Sequence, residues 1–336
     1  MIEPLGEGKH IFSHVEWQMR GYRIQMRDIS EKLLEKEEWI AVSREDLEEK
    51  YTDFSERTRV LKTIDITKDV EDITKRVSIK NTSFNVLISG MDSYGTINKT
   101  TRNDVNMIAT VNPNTNKVLL TSIPRDYYVQ LHGKTGYKDK LTHAGIYGIN
   151  TVVQTIEDLF GIDINYYVRV NFTTVESLVN TIGPIEIYSD KAMSLDGCKY
   201  VVGTNTVNGK CALRFARERH SYVEGDNHRI KNQQEVIKGI FNKLSKSAMV
   251  VTDYTSILDS LDGKFATNMD MKDITAFIKY ELEDITKYEI LDTQVTGTGS
   301  MELTYSYPHQ KLYVMFPSEQ SVESAKEYIN KISNEK

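Results

Sequence analysis

A chain of 336 residues, 39% hydrophobic and 27% charged, has the composition of a soluble globular protein with room for one large α/β domain plus an appendage, or for two domains. Its formal net charge of -6 excludes a global attraction to nucleic acid or to an anionic membrane, so any anion site must be local. No stretch offers the roughly 18 consecutive apolar residues of a membrane span, and residues 1–10 lack the basic start and apolar run of a signal peptide.

Residues 1–52 differ in character from the rest of the chain. Lys9-His10-Ile11-Phe12-Ser13-His14-Val15-Glu16-Trp17, Gly21-Tyr22, Glu38-Trp39-Ile40 and Arg44-Glu45-Asp46-Leu47 resemble the end of the C-terminal domain of adenine-DNA glycosylases. The Phe-Ser-His loop of that family, here Phe12-Ser13-His14, helps to read an oxidised guanine. The resemblance covers only the last part of that domain, without a catalytic domain or iron–sulfur cysteines. A fragment lacking its sheet partners has no means of burying its own apolar face, so it is expected to be non-functional and no nucleic-acid partner is expected. Residues 53–81 are polar, repeat Asp and Thr with little periodicity, and read as a linker.

From residue 82 onward, strand and helix patterns alternate. The apolar run 84–89 reads as a buried strand stopping at Gly90, followed by Met91-Asp92-Ser93. A second strand, 105–111, is introduced by Thr101-Arg102-Asn103-Asp104, and a third, 117–123, ends in Pro124-Arg125-Asp126. Residues 138–150 are a connection containing Lys140, His143 and Tyr147. The spacing of Val152, Val153, Ile156, Leu159 and Phe160 predicts a helix over 150–160, stopped by Gly161. After a strand over 165–172, Thr173-Thr174 caps a helix whose apolar face carries Val175, Leu178, Val179 and Ile182, and 185–188 resumes the sheet.

Lys210-Cys211-Ala212-Leu213-Arg214-Phe215 predicts a short helix, and an extended exit from it would point Arg217 and Arg219 the same way. Gly225-Asp226-Asn227-His228-Arg229 opens a long helix. Helical steps counted back from Ile240 and Ile237 place Gln233 and Arg229 on its core-facing stripe, where something anionic must meet the guanidinium. Helices over 253–261 and 272–283, strands over 288–293 and 312–316, and a last helix over 318–332 capped by Ser318 complete the chain. Thr296-Gly297-Thr298-Gly299-Ser300 reads as a flexible turn, not a phosphate loop, since no Lys and helix come after it at that spacing. The expected fold is α/β, a three-layer α/β/α arrangement around a central mixed β-sheet, preceded by the small foreign N-terminal segment.

Asp92, then Arg102 and Asp104, then Arg125 and Asp126 stand at the ends of three core strands, where α/β proteins place their sites. Arg217, Arg219 and Arg229 join them from the second half of the chain, with Asp226. Arginine forks match phosphate oxygens, and several together suit a pyrophosphate. Carboxylates beside phosphate commonly hold Mg²⁺. A structural salt-bridge network also mixes Arg with Asp and is the better account of any single pair. Five arginines confined to two segments and aligned with element ends favour a site. The histidines show no zinc-like spacing. Cys198 and Cys211 either bridge a loop, in a domain working outside the cytosol, or stay free thiols.

Residues 82–334 resemble the LytR-CpsA-Psr family of bacterial cell-envelope enzymes. The resemblance rests on Gly90-Met91-Asp92-Ser93, Thr101-Arg102-Asn103-Asp104, Ser122-Ile123-Pro124-Arg125-Asp126, Phe215-Ala216-Arg217-Glu218-Arg219, Gly225-Asp226-Asn227-His228-Arg229 and Asn232-Gln233-Gln234, and marks 82–336 as the catalytic domain. It implies a phosphotransferase that moves a glycopolymer from an undecaprenyl-pyrophosphate carrier to a peptidoglycan hydroxyl. Asp92 and Asp104 would ligate Mg²⁺, with Mn²⁺ as the substitute. Arg102, Arg125, Arg217, Arg219, Arg229 and Gln233 would clamp the pyrophosphate, and Asp92 or Asp126 would act as base. The lipid tail would enter an apolar tunnel lined by the helices at 152–160 and 175–182. The membrane would be met through this lipid, at an extracytoplasmic, cell-envelope location. Many members carry Arg where this chain has Asn232, so one phosphate contact is expected to be absent or replaced. The alternatives are a polyprenyl-pyrophosphate phosphatase, with water in place of the sugar hydroxyl, and a non-catalytic, attenuator-type regulatory module.

Overall fold

The computed structural model describes residues 2–12, 15–24, 82–97, 100–222, 225–245, 254–270, 273–274 and 288–336. The chain divides into two compact units, Met1–Ser55 and Glu56–Lys336. In the first unit β1 (Ile2–Phe12) and β2 (Val15–Ile24) pair antiparallel as a hairpin. Ser13 and His14 of the glycosylase-like loop, the rest of that segment, the linker over 53–81 and most of the helix expected over 272–283 lie outside the described residues.

The second unit is built on a mixed six-stranded sheet. Its central strands are β3 (Phe84–Met91), β4 (Asn103–Asn112) and β5 (Lys117–Ile123), joined antiparallel in sequence. Short β6 (Tyr128–Val129) and β7 (Asp139–Lys140) pair with each other beside it, and a 3-10 helix, Leu141–Tyr147, leads into α1 (Ile149–Phe160). β8 (Tyr166–Val170) then adds parallel to β3. α1 ends where expected, with Gly161 in the left-handed conformation.

The next helix, α2 (Phe172–Ile182), starts earlier than its sequence suggests. Asn171, not Thr173-Thr174, is its cap: the Asn171 side chain accepts the Thr174 N–H while the Thr174 hydroxyl bonds back to the Asn171 N–H, a closed capping box. The sheet differs as well. β9 (Ile185–Ser189) does not rejoin the central sheet. After the small hairpin of β10 (Met193–Leu195) and β11 (Cys198–Tyr200), β9 pairs with β12 (Gly203–Val207) as a separate ribbon.

α3 (Gly209–Arg217), α4 (Asp226–Ser245) and α5 (Tyr254–Ser260) come next, and β13 (Phe265–Thr267) closes one sheet edge against β8. β14 (Glu289–Gln294) closes the other, parallel to β5. The expected flexible turn over 296–300 is instead part of a strand: β15 (Gly297–Thr304) pairs antiparallel with β16 (Tyr307–Pro317) outside the main sheet. α6 (Glu319–Asn334) ends the chain, capped by Ser318.

Side-chain alternation on β3–β5 divides the interior into two faces. Leu87, Ile108 and Leu119 pack with Val152, Val153, Ile156 and Phe160 of α1 and with Val322, Ala325, Ile329 and Ile332 of α6. Val86, Met107, Ala109, Val118 and Leu120 face the opposite layer, which includes Ile237 and Phe241 of α4. The three-layer expectation therefore holds. Val179 and Ile182 of α2 are buried in a further cluster with β9, α3 and α5, and Val175 and Leu178 pack against it half-buried. Cys198 and Cys211 are joined as a disulfide, tying β11 to α3. No helix of the described residues is long and apolar enough to cross a membrane.

Candidate functional site

Because β4 runs antiparallel to β3 and β5, the end of β3, the start of β4 and the end of β5 lie at one edge of the sheet. That edge is also where β8 and β14 finish, the crevice position favoured for ligands in α/β folds. A cavity of about 450 Å³ opens there. Its polar wall consists of Asp104, Asn106, Ser122, Arg125, Asp126, Lys140, Arg219, Arg229 and Gln233, with Tyr313 and Met315 of β16 on another side. Four cations (Arg125, Lys140, Arg219, Arg229) line it against two carboxylates (Asp104, Asp126), which makes it a place for an anion.

Local bonding fixes this wall. Arg125 Nη1 donates to Asp104 Oδ2 at 2.8 Å, and the Thr142 hydroxyl donates to Asp104 Oδ1 at 3.0 Å. Lys140 Nζ reaches Asp126 Oδ1 at 2.6 Å, and Arg125 Nε lies 3.6 Å from Asp126 Oδ2. Lys140 is in turn placed by its neighbour. Asp139 is fully buried and accepts from four donors: His143 Nδ1 at 2.6 Å, the Lys140 N–H at 2.7 Å, the Ser306 N–H at 2.9 Å and the Ser306 hydroxyl. Burial pushes its carboxyl up, but the bonds from His143 and Ser306 outweigh that and hold it below the usual carboxylate range. α4 is pinned over the strands by Gln234, which donates to Ser122 Oγ and Thr293 O at 3.0 Å each. Arg229 and Gln233, one turn apart on α4, both reach the cavity, as the helical spacing predicts.

The structure gathers Asp104, Arg125, Asp126, Arg219, Arg229 and Gln233 round one cavity, and leaves three sequence candidates outside its lining. Asp92 is exposed, one residue beyond β3. Arg102 is exposed and donates to the Tyr307 hydroxyl at 3.1 Å. Arg217 is also exposed; it lies 4.1 Å over the Phe172 ring and donates to the Tyr94 hydroxyl at 3.4 Å. The shared direction expected for Arg217 and Arg219 fails because α3 continues through Arg217, so the two do not belong to one extended segment. Asp226 opens α4. Asn232 is buried and donates to the Glu218 carbonyl at 3.4 Å, so it fastens α4 to the Arg217–Arg219 arm and does not stand in the cavity.

Sequence reasoning missed Asn106, Ser122, Tyr313 and Met315 as lining residues, and named Lys140 without a role. Lys140 had one usable signal, its place in a Gly- and Tyr-containing connection between site-bearing strands and a helix, which Lys138 shares. Among the described residues, no group of three or more His, Cys, Asp or Glu side chains forms a ready-made metal cage.

Comparisons with known proteins bear on this arrangement. The model of the LytR_cpsA_psr family matches residues 51–327. The polyisoprenyl-teichoic acid–peptidoglycan teichoic acid transferase TagU of Enterococcus faecalis is 32% identical over 255 residues, covering 74% of this chain and 82% of that protein. The crystal structure of Bacillus subtilis TagU superposes with a TM-score of 0.59 at 28% identity, covering 76% of this chain and 98% of that one. A structure of TagT bound to LI-WTA does so with a TM-score of 0.60 at 25% identity, covering 79% and 96%. Relatives named as transferases support an enzyme. With the α/β sheet, the cationic cavity at its edge and a family match over most of its length, this chain belongs to the LytR-CpsA-Psr family.

Proposed function

We propose that the chain is a phosphotransferase that moves a glycopolymer of the teichoic-acid class from a polyprenyl-pyrophosphate carrier to a peptidoglycan hydroxyl, leaving a phosphodiester. The observation that carries this is the cavity in which Arg125, Lys140, Arg219 and Arg229 converge from three separate parts of the chain, with Gln233 beside them. Guanidinium forks and an ammonium suit the doubly charged diphosphate, and the amide adds a neutral donor. The relatives' names supply the sugar class.

In this reading the acceptor oxygen forms a bond to the phosphorus that bears the glycan, and the bond from that phosphorus to the polyprenyl phosphate breaks. The hydroxyl proton passes to a carboxylate. Asp126 is the candidate inside the cavity, with Lys140 holding one of its oxygens, whereas Asp92 lies outside the lining. The cations hold charge that spreads over the phosphoryl oxygens and onto the leaving polyprenyl phosphate, which is most of what such a transfer requires.

Mg²⁺ fits this donor set in one way only. It commonly takes one or two carboxylates and completes its shell with substrate phosphates and water. Asp104, at the cavity wall, and Asp92, at the end of the neighbouring strand, are the residues to hold it; Mn²⁺ shares that oxygen preference. The ion would supply Lewis-acid neutralisation of phosphate charge. A location in the cell envelope, outside the cytoplasm, follows from the acceptor, and the Cys198–Cys211 disulfide supports it, since such bonds persist in oxidising compartments.

The test is a purified full chain incubated with a polyprenyl-diphosphate-linked glycan and un-cross-linked peptidoglycan oligomers. The expected result is glycan joined to the oligomer together with polyprenyl monophosphate, abolished by EDTA and restored by Mg²⁺. Equal release of the lipid phosphate with and without oligomer would replace transfer by hydrolysis.

A further inference from the structure

We propose that the outward face of the β15–β16 hairpin is the subsite for the acceptor glycan, with the Tyr313 ring as its platform; this rests on the transferase reading above. Tyr313 and Met315 line the cavity from a strand far in sequence from every cationic residue there. Cross-strand pairing sets Met301 beside Tyr313 and Gly299 beside Met315, so these side chains share one face, and Lys311 joins Tyr313 on it by alternation. Met301, Lys311 and Tyr313 of that face are exposed, Tyr313 by 48%, and Met315 is half-buried against the core where the face meets the cavity; on the opposite face Val314 is fully buried and Phe316 is exposed.

Two glycines shape the platform. A Cβ on Gly299 would meet Tyr313 Cε2 at 2.8 Å, Oη at 2.9 Å and Cζ at 3.2 Å, so the hydroxyl end of the ring occupies the space beside the bare backbone of Gly299. A Cβ on Gly297 would meet the Phe316 carbonyl oxygen at 2.2 Å first and Met315 Cγ at 2.8 Å, so the facing backbone and Met315 together fill that place. An aromatic ring held against a sheet and about half exposed is a surface for the apolar C–H face of a pyranose, and its hydroxyl offers a polar contact.

The platform is also anchored to the reacting end of the site. The Met315 N–H donates to the Asp126 carbonyl at 2.7 Å, and the hairpin tip is held where Ser306 bonds Asp139, next to Lys140. An acceptor strand runs on past its attacking hydroxyl in both directions. It needs open surface beside the phosphate cavity, which a solvent-facing hairpin leading into that cavity provides. Lys311 on this face suits a glycan bearing carboxylates.

The test titrates un-cross-linked peptidoglycan oligomers at saturating lipid-linked donor. Tyr313→Ala is expected to raise the acceptor KM roughly tenfold with the donor KM unchanged. Tyr313→Phe keeps most of the wild-type value, and Gly299→Val, which lifts the ring, reproduces the Tyr313→Ala loss. Unchanged acceptor KM in Tyr313→Ala overturns the proposal. So does a rise confined to the donor KM, which would assign the ring to the carrier-linked sugar. Binding of the same oligomers to donor-free protein is measured in parallel. If the wild type transfers nothing, the transferase reading fails, and a roughly tenfold weaker oligomer affinity in Tyr313→Ala still reads the subsite.

Discussion

Asp139→Asn is the sharpest test of how the site is held. Asp139 is fully buried and its two oxygens receive four donors: His143 and the Lys140 N–H on one, the Ser306 N–H and hydroxyl on the other. An amide of the same shape must turn an NH₂ toward one of these pairs, so the backbone N–H there loses its acceptor and the His143 ring or Ser306 hydroxyl beside it must turn from donor to acceptor. Bonds to a charged group contribute about 1.5–3 kcal/mol each, and breaking one partner of a buried charged set costs about 3–5 kcal/mol, so a loss near 4 kcal/mol is expected. For a domain of this size that lowers Tm by about 8–16 °C. The carboxyl titrates below its ordinary value in the folded chain, so its contribution is complete above the unfolded value near ~3.9 and disappears as pH falls through the folded one. Calorimetric melts of both proteins from pH 7 down to about pH 2 read this directly. The gap should be wide at neutral pH and close in the acid range. A gap that stays constant across the series, or a Tm loss under about 2 °C at pH 7, refutes the reasoning.

Arg219→Ala should lower acceptor-dependent transfer about 100-fold or more without moving Tm, whereas Arg102→Ala, outside the cavity, should lose less than about tenfold. Equal losses in initial-rate assays would place the diphosphate elsewhere. Replacing both Cys198 and Cys211 by Ser should cost about 3 kcal/mol in urea denaturation, and a reducing agent should bring the wild type down to the variant. Gly145→Ala should destabilise by about 2 kcal/mol or more, because a Cβ there would stand 2.4 Å from Thr101 O and 2.5 Å from Asn103 Oδ1, with the 3-10 helix pressed onto the start of β4. A melt within 1 °C of wild type would show that contact to be loose, given the ~2–4 °C expected per kcal/mol.

The central sheet is legible in the sequence because its strands are apolar on both sides. Val86 and Leu87 face different layers and both need burial, which leaves runs that turn chemistry bounds at Gly90, Asn103 and Pro124. Helices α1 and α6 are equally clear from spacing and caps. The misplacements have local causes. Asn171 follows β8 directly and caps α2, and the hydroxyls of Thr173 and Thr174 just after it imitate a cap. β9 has the alternating pattern of a half-buried strand, which says which face is inside and nothing about which partner it takes.

The site is legible where a charge recurs at an element's end and opaque where geometry turns on one residue. Arg229 and Gln233 are one helical turn apart on a long helix, so their common direction comes from the period. Arg217 and Arg219 straddle a helix end, and two further residues of α3, Ala216 and Arg217, are enough to send Arg217 to Phe172 and leave Arg219 at the cavity. The hairpin wall gave a misleading signal, since Gly297-Thr298-Gly299 has the composition of a turn. The facing strand occupies the space that side chains would take, with the Phe316 carbonyl and Met315 at Gly297 and the Tyr313 ring at Gly299. Composition reports what a residue lacks; only the partner strand reveals what fills the gap, and here it is the ring at the mouth of the cavity.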